Sequence, residues 1–355
     1  MPATDLVFQE PLGPPRMILT AAETAAVGEL ADKLLDEDPD TSLELRLPRI
    51  GVLAHAIPER IRTVLTQFRI NGEPYGGFVI SGLPIDESLA GATPSGYQQE
   101  PRGREVERAA AVLFLIGSVL GDPFSYLTQQ RGRMVLDVFP VRGHESSQLG
   151  SSSTTVLEWH NEDAFHPCRA DWIMLICMRN RDGVATMFGP VQELELSPET
   201  RETLFQERFI IKPDESHTEE FNTATTGIEA DPRVVEAFGR VREMNARPQR
   251  LSVLSGDRRA PYVRIDPAFM ERELGDVPAE RALEEIIRQF DTRVRDVVLA
   301  PGELLIIDNL RAVHGRRPFA ARYDGTDRWL RRINVTADLR KSADRRFGTH
   351  GRAVI

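Results

Sequence analysis

Hydrophobic and polar residues follow two different periods along the chain, and the change lies near residue 120. Before this point, apolar residues recur every three to four positions, which predicts amphipathic or buried helices. Thr20 and Glu23 stand in capping-box spacing at the start of the first helix. A glycine-punctuated run of β-branched and aromatic residues at 75–85 predicts a strand between the helices. The three helical segments are 18–35, 57–70 and 104–123.

After residue 121 the chain consists of short apolar or alternating runs separated by Gly, Pro, Asp and Ser clusters. Runs of this length and spacing are typical of a β-sandwich or barrel. One helical pattern, at 278–294, interrupts them. The segment after Asp338 is rich in Arg and Ser and weakly patterned, so we expect it to be loosely attached. The strand-like runs are RMVLDVFP, SSTTVLEWH, DWIMLICMRN, GVATMFGP, RFIIKPD, RLSVLSG, APYVRID and VVLAPGELLIIDNLRAVHG.

Composition narrows the class of protein. The 355 residues are 41% hydrophobic and 28% charged, with a formal net charge of −10, as in a soluble globular protein. Basic residues are scattered, which argues against a nucleic-acid partner. No apolar stretch approaches the roughly 18 residues of a membrane span and the first residues lack a secretory signal, so we expect a cytoplasmic protein. Cys168 and Cys177 form no CxxC pair and are expected to be small buried side chains.

The stretch WHNEDAFHP, residues 159–167, concentrates potential metal ligands. If the preceding strand continues through it, His160 and Glu162 project from the same face and Asp163 faces away. Two histidines and one carboxylate form the facial triad that binds non-haem iron(II), so a second histidine is required from elsewhere. An isolated His-x-Glu is common by chance and by itself favours a core histidine beside solvated acids, so the second histidine decides the interpretation. His166 is a weaker candidate ligand, because Pro167 breaks the strand.

His314 is the best candidate for the second histidine. It follows the apolar run GELLIIDNLRAV, which predicts a position at the end of a core strand. It precedes Gly315, which predicts that another backbone segment approaches closely there. Arg328 follows fourteen positions later, and an arginine fork suits the far carboxylate of a dicarboxylate co-substrate. Period two places Arg328, Leu330 and Arg332 on one strand face, although one arginine spacing in an arginine-rich chain is weak evidence.

Together these residues resemble the iron(II)- and 2-oxoglutarate-dependent oxygenases of the clavaminate synthase-like group, particularly the bacterial hydroxylases of free amino acids. The match runs from GDPFSYLTQQRGR to RRINV. The resemblance implies a mainly β fold with α, a distorted double-stranded β-helix (jelly roll) with flanking helices. It further implies one catalytic domain over 1–355. Its parts are a mostly helical buttress at 1–120, the jelly-roll core at 121–338 with a lid at about 208–222, and a tail at 339–355.

The resemblance also implies the roles of the site residues. Iron(II) is expected on His160, Glu162 and His314, with O₂ as the oxidant. The co-substrate 2-oxoglutarate is expected on Arg328, assisted by Thr186. Thr186 is also compatible with an ordinary strand threonine.

Substrate contacts are implied on both the core and the lid. Gln129 and Arg332 match positions that hold the α-amino and α-carboxylate groups, although a surface amide and a structural ion-pair partner are alternative interpretations. Asp214 and Ser216 of the lid are expected to face the ligand. His217 lies in the same polar loop, which is a weak context for the second metal-binding histidine. The full implied set is Gln129, Glu162, Asp214, Ser216, Asp266 and Arg332.

The expected reaction is hydroxylation at C3 or C4 of a free, basic L-amino acid of the arginine or lysine type, with release of succinate and CO₂. Asp266 matches an acid that binds the substrate's side-chain cation, but Ala268 stands where a second acid is expected. Lysine, ornithine, citrulline or a modified arginine therefore remain open as substrates. Two alternatives are desaturation or cyclisation of an amino acid derivative in a natural-product pathway such as antibiotic biosynthesis, and a non-catalytic jelly-roll binding protein. A homo-oligomer is compatible with the sequence.

Overall fold

The computed structural model describes residues 13–72, 76–98, 100–226, 231–271, 275–347 and 351–355. Residues 1–12, on which the secretory-signal argument depends, lie outside the described residues, as does Tyr75 of the predicted strand. In the part that is described, no helix has both the length and the apolar character needed to cross a bilayer.

The described residues form eight α-helices and seventeen strands. The helices are α1 (Ala21–Glu37), α2 (Leu47–Ala54), α3 (Glu59–Asn71), α4 (Arg104–Leu120), α5 (Pro198–Leu204), α6 (Glu219–Thr226), α7 (Pro232–Ala246) and α8 (Val277–Arg293). The strands are β1 (Arg16–Ile18), β2 (Gly77–Ser81), β3 (Asp122–Tyr126), β4 (Leu136–Val138), β5 (Leu157–His160), β6 (Trp172–Arg179), β7 (Thr186–Pro190), β8 (Ile210–Ile211), β9 (Leu254–Gly256), β10 (Pro261–Val263), β11 (Met270–Glu271), β12 (Arg295–Val297), β13 (Leu304–Asp308), β14 (Ala312–Arg316), β15 (Trp329–Thr336), β16 (Arg346–Phe347) and β17 (Ala353–Val354).

Two sheets make the jelly roll. The major sheet has the order β1-β2-β13-β6-β15-β3-β17-β16, with β4 paired to β15, and the minor sheet has the order β12-β7-β14-β5. One apolar cluster joins Leu175 and Leu330 of the major sheet to Phe188 and Ala312 of the minor sheet. The sheets therefore pack face to face, as predicted for a mainly β fold with flanking helices.

Strand β6 shows why its sequence is apolar throughout. Ile173 and Leu175 point into the space between the sheets, whereas Met174 and Ile176 point to the opposite face. Helix α4 packs on that face, against β6 and β15. Because successive side chains alternate between two covered faces, the run DWIMLICM carries no polar stripe.

The predicted helices are present, with the Thr20–Glu23 capping box at the start of α1. The expectation of a loosely attached tail is wrong. Strand β17 pairs in parallel with β3 of the major sheet, and Val354 and Ile355 are buried. The side chain of Val354 joins the apolar cluster between the sheets, and the polar residues before it hide this contribution in the sequence. Cys177 is buried as expected, but Cys168 is only partly buried.

Candidate active site

Strand pairing brings the two candidate histidines together. His314 of β14 lies directly opposite His160 of β5 in the antiparallel register, and their ring centroids are 4.8 Å apart. His314 is the third residue of a five-residue strand, so its predicted position at a strand end is wrong. The predicted close backbone approach is confirmed, because a Cβ at Gly315 would lie 2.6 Å from the carbonyl oxygen of Leu157.

Glu162 reaches the histidines from a turn and not from a strand. Strand β5 ends at His160, and Asp163 has a left-handed φ of 50°. The prediction that His160 and Glu162 share a strand face is therefore wrong. The two side chains do converge, but the turn after β5 brings them together. Asp163 was expected to face away, yet it lines the same cavity as Glu162.

Two fully buried asparagines hold this turn. The Asn309 side-chain oxygen accepts from the backbone N–H of Glu162 at 2.8 Å, and its amide donates to the carbonyls of Glu162 and Ala170, both at 3.0 Å. The Asn161 amide donates to the carbonyls of Asn309 and Ala312, both at 2.9 Å. These bonds satisfy backbone groups that the irregular turn leaves unpaired, and they tie Glu162 to the loop before β14.

Replacement of Asn309 by alanine tests this role. We expect the free energy of unfolding to fall by about 3 kcal/mol, because three buried backbone groups lose their partners. We also expect iron(II) affinity to fall about 10- to 100-fold, the usual effect of losing a group that orients a ligand. Chemical denaturation and anaerobic calorimetry measure the two effects.

Asn180 provides a matched control, since its side chain also makes three backbone hydrogen bonds, to Val184 and Leu299, but does not line the cavity. Asn180→Ala should cost similar stability without changing iron affinity. Equal affinity in both variants would contradict the assignment.

The triad fits iron(II) in both donor set and protonation. The ligand atoms of His160, Glu162 and His314 all lie within 4.8 Å of one another. His160 Nδ1 lies 2.7 Å from the carbonyl oxygen of Glu158, which can only accept, so Nδ1 carries the proton and Nε2 is free to bind a metal. Two imidazoles and one carboxylate on one side of a cavity form the facial set used by non-haem iron oxygenases.

Electrostatics favour an ionised glutamate between the histidines. Burial opposes ionisation of Glu162, but the Arg332 guanidinium and the two imidazoles outweigh it and hold the pKa of the carboxyl below its ordinary value. Burial lowers the pKa of His314, which keeps that ring neutral. Burial acts in the same direction on His160, but the carboxylates of Asp266 and Glu162 raise its pKa.

Every site residue that was predicted from the sequence lines one cavity of about 130 Å³. These residues are Gln129, His160, Glu162, Thr186, Asp214, Ser216, Asp266, His314, Arg328 and Arg332.

Arg328 is a buried cation without a carboxylate partner in the described part of the chain. It is 6% exposed, and burial lowers its pKa to about 10. One guanidinium nitrogen donates to Thr186 Oγ1 at 2.8 Å, and Nε is buried with no hydrogen-bond partner. A buried charge with free donors is costly unless an anion completes it.

Arg316 was missed at the sequence level. It lies two residues after His314 on the same strand face, lines the cavity and is 2% exposed. Burial and the neighbouring Arg328 lower its pKa to about 9. Its guanidinium donates to Ser152 Oγ at 2.7 Å and to the backbone oxygens of Ser153 and Thr155. Period two from His314 was the signal that could have identified it.

Residues near Glu162 form a polar network. Arg332 makes an ion pair with Glu162, so the structure gives it an ion-pair partner as well as a place in the cavity. Gln129 is buried, which excludes the surface-amide interpretation, and its side-chain nitrogen donates to Ser216 Oγ at 2.8 Å. The segment predicted to be a lid therefore meets the core at the cavity wall.

The cavity is also lined by the buried carboxyl of Asp266. Asp266 is 9% exposed, and burial, together with nearby Asp214, raises its pKa to about 7 despite the opposing effect of His160. Among the described residues, no Lys or Arg forms an ion pair with Asp266. Ala268 lines the same cavity. The alanine that stands in place of an expected second acid therefore faces the space for the ligand.

The chain is similar to known proteins over almost its whole length. Residues 99–334 match the family described as taurine catabolism dioxygenase TauD, TfdA family. An enduracididine beta-hydroxylase from Streptomyces hygroscopicus is 42% identical over 340 residues, which cover 94% of this chain and 97% of that protein. An L-ornithine/L-arginine 3-hydroxylase from Catenulispora acidiphila is 37% identical over 329 residues, 92% of this chain and 96% of that protein. The crystal structure of the non-heme iron oxygenase OrfP with Fe, succinate and (3S)-hydroxy-L-Arg matches with a TM-score of 0.87 at 40% identity, covering 96% of this chain and 100% of that one.

Proposed function

This chain belongs to the taurine catabolism dioxygenase TauD/TfdA family, and on this basis we propose that it hydroxylates C3 or C4 of a free, basic L-amino acid. The co-substrate is 2-oxoglutarate, which is converted to succinate and CO₂, and the metal is iron(II). The relatives include hydroxylases named for enduracididine and for ornithine and arginine. We further propose that residues 1–355 act as one catalytic domain.

One observation carries this proposal. Arg328, a buried guanidinium with an unused donor, lines the same cavity as His160, Glu162 and His314. A metal-binding triad alone is compatible with many activities, but a buried cation beside it requires an anion of the co-substrate type. Arg328 and Thr186 would grip the far carboxylate of 2-oxoglutarate.

The remaining residues bind and orient the substrate. Bound iron(II), with 2-oxoglutarate and O₂, supplies the oxidising chemistry. Arg332 would hold the substrate α-carboxylate, and Gln129 would hold the α-amino group together with Glu162. Fixing both groups at one end of the cavity limits which carbon faces the metal, so that C3 or C4 is the expected site. Ser216 and Asp214 would cover the cavity and exclude water.

The side chain of the substrate would extend toward Asp266. A carboxyl that is 9% exposed and has no ion pair with a Lys or Arg in the part of the chain that the structure describes is suited to a cationic group. Ala268 stands where a second acid was expected, and Asp214 is another carboxyl near Asp266, so a basic group of a different shape from that of arginine is compatible with the site. Enduracididine-type, ornithine and lysine side chains belong in the test with arginine.

Succinate release tests the proposed function. The full chain is incubated with iron(II), 2-oxoglutarate and O₂ and with arginine, enduracididine, ornithine, lysine, citrulline or asparagine, and product masses are recorded. We expect succinate that depends on one basic amino acid, with a product heavier by one oxygen. A product lighter by two hydrogens would indicate desaturation or cyclisation. Iron binding without turnover of any amino acid would contradict the proposal.

Asp266→Asn should weaken recognition of the basic side chain. Removing a charge-assisted contact worth about 1.5 to 3 kcal/mol raises KM for the preferred basic amino acid about 10- to 100-fold. The KM for citrulline, whose side chain has a similar shape but no charge, should change less than twofold where citrulline is a substrate. Equal changes for charged and neutral substrates would assign Asp266 a general structural role instead.

A further inference from the structure

His217 has an environment that its sequence context does not suggest. It lies in the lid segment (residues 208–222), yet it is 1% exposed. Its Nδ1 lies 2.7 Å from Thr128 Oγ1, and its Nε2 lies 2.7 Å from Asp163 Oδ1. The ring packs edge-on against Tyr126 and Phe165, with centroid distances of 5.1 Å and 4.9 Å. Both ring nitrogens therefore have hydrogen-bond partners, and the ring packs against two aromatic side chains.

Neither Thr128 nor His217 lines the cavity, whereas their neighbours do. Gln129 and Ser216 are the residues that follow Thr128 and precede His217, and their side chains are joined across the cavity wall at 2.8 Å. The Gln129 nitrogen also lies 3.4 Å from Asp163 Oδ1. The bonds of His217 thus set the position of the lid residues that reach the ligand space.

The burial of Asp163 explains why docking of the lid depends on the contact between His217 and Asp163. The carboxyl is 4% exposed, and its second oxygen already has no hydrogen-bond partner. Without His217, a docked lid would bury this carboxyl with only the long contact to Gln129. An open lid would let water reach both Asp163 and Thr128. The two bonds of His217 therefore favour the docked state, because they offset the cost of burying Asp163 and Thr128.

We propose that His217 is a latch, a positioning residue that locks the lid segment onto Thr128 and Asp163 and thereby holds Ser216 and Asp214 over the cavity. The inference rests on the proposed function for its kinetic consequence, but the docking itself does not require turnover. His217 acts through Ser216 and Asp163 and contacts no reacting atom. A second cluster of metal-ligand type, Asp163, Asp214 and His217, is better explained in this way, because both ring nitrogens of His217 already have partners.

Hydrogen–deuterium exchange of the lid peptide tests the latch directly. In His217→Ala, we expect exchange in 208–222 to be at least tenfold faster than in the wild-type chain, with Thr128→Val intermediate. His217→Gln keeps a donor toward Asp163 and should partly restore slow exchange. His55→Ala removes an exposed histidine that directly follows α2 and should leave the lid unchanged.

Kinetics provide the second readout. We expect His217→Ala to raise KM for the amino acid about tenfold, to release more succinate than hydroxylated product and to leave iron(II) affinity within twofold. Wild-type exchange and KM in both His217→Ala and Thr128→Val would overturn the latch, and Thr128→Val decides the matter if His217→Ala does not fold. If the wild-type chain turns over no amino acid, the proposed function fails, but exchange in the ligand-free protein still decides whether His217 holds the lid.

Discussion

His314→Ala is expected to abolish iron(II) binding and all succinate formation. The imidazole of His314 lies 3.3 Å from the Glu162 carboxylate and opposite His160, so its loss leaves only two of the three proposed protein ligands. Changing a group that merely orients a ligand costs about 10- to 100-fold in metal affinity, and loss of the ligand itself should cost more than about 100-fold. Anaerobic calorimetric titration with iron(II) measures the loss of metal affinity.

His166→Gln is the matched control for this experiment. His166 belongs to the same nine-residue stretch as His160 and is 3% exposed, but it does not line the cavity. We expect near-normal iron affinity and turnover in this variant. If His166→Gln lost iron while His314→Ala retained it, the proposed ligand set would be wrong.

Arg328→Met is expected to raise KM for 2-oxoglutarate by about 100-fold or more while iron affinity stays unchanged. The expected cost of removing one partner from a buried charge pair is about 2 to 5 kcal/mol, and each 1.4 kcal/mol corresponds to about tenfold. Methionine fills a similar volume without charge, so the change in KM measures the loss of the guanidinium group. Steady-state kinetics at varied 2-oxoglutarate, with the preferred amino acid held saturating, measure the change.

Two variants bracket this result. Thr186→Val removes the hydroxyl that accepts from Arg328, and should raise KM for 2-oxoglutarate about fivefold to tenfold, the value of one hydrogen bond. Arg317→Met removes an exposed arginine that pairs with Asp296, and should have no effect. An unchanged KM in Arg328→Met would show that the anion lies elsewhere in the cavity, with Arg316, which also lines it, as an alternative cation.

Some site residues could be placed from sequence because their positions depend on strand geometry. Arg328, Leu330 and Arg332 all line the cavity, as the period of two predicts, whereas Arg331 points away and pairs with Asp137. The burial of β6 on both faces likewise follows from an unbroken apolar run. These inferences require only that a strand forms, and local side-chain alternation then orients each residue.

Other residues could not be placed because their roles depend on contacts between distant segments. Asn309 holds the turn at Glu162 from 147 positions away. His217 is buried against Thr128, 89 positions away. A polar residue in a loop has the same local pattern whether it is solvated or docked, so no period or spacing distinguishes the two states. The incorrect strand argument for Glu162 has the same origin, since long-range bonds of Asn309 and Asn161 shape the turn.

The sequence by itself determined the type of elements, the mainly β fold and the residue types that converge on the cavity, because hydrophobic periodicity and side-chain alternation are local properties. Only the tertiary structure decided which groups meet. The register of β5 with β14 sets His160 against His314. Arg328 is buried without a carboxylate partner in the described part of the chain, and His217 is buried between Thr128 and Asp163. These features arise from desolvation and from hydrogen bonds between residues far apart in the chain. Neither effect can be inferred from the local sequence pattern.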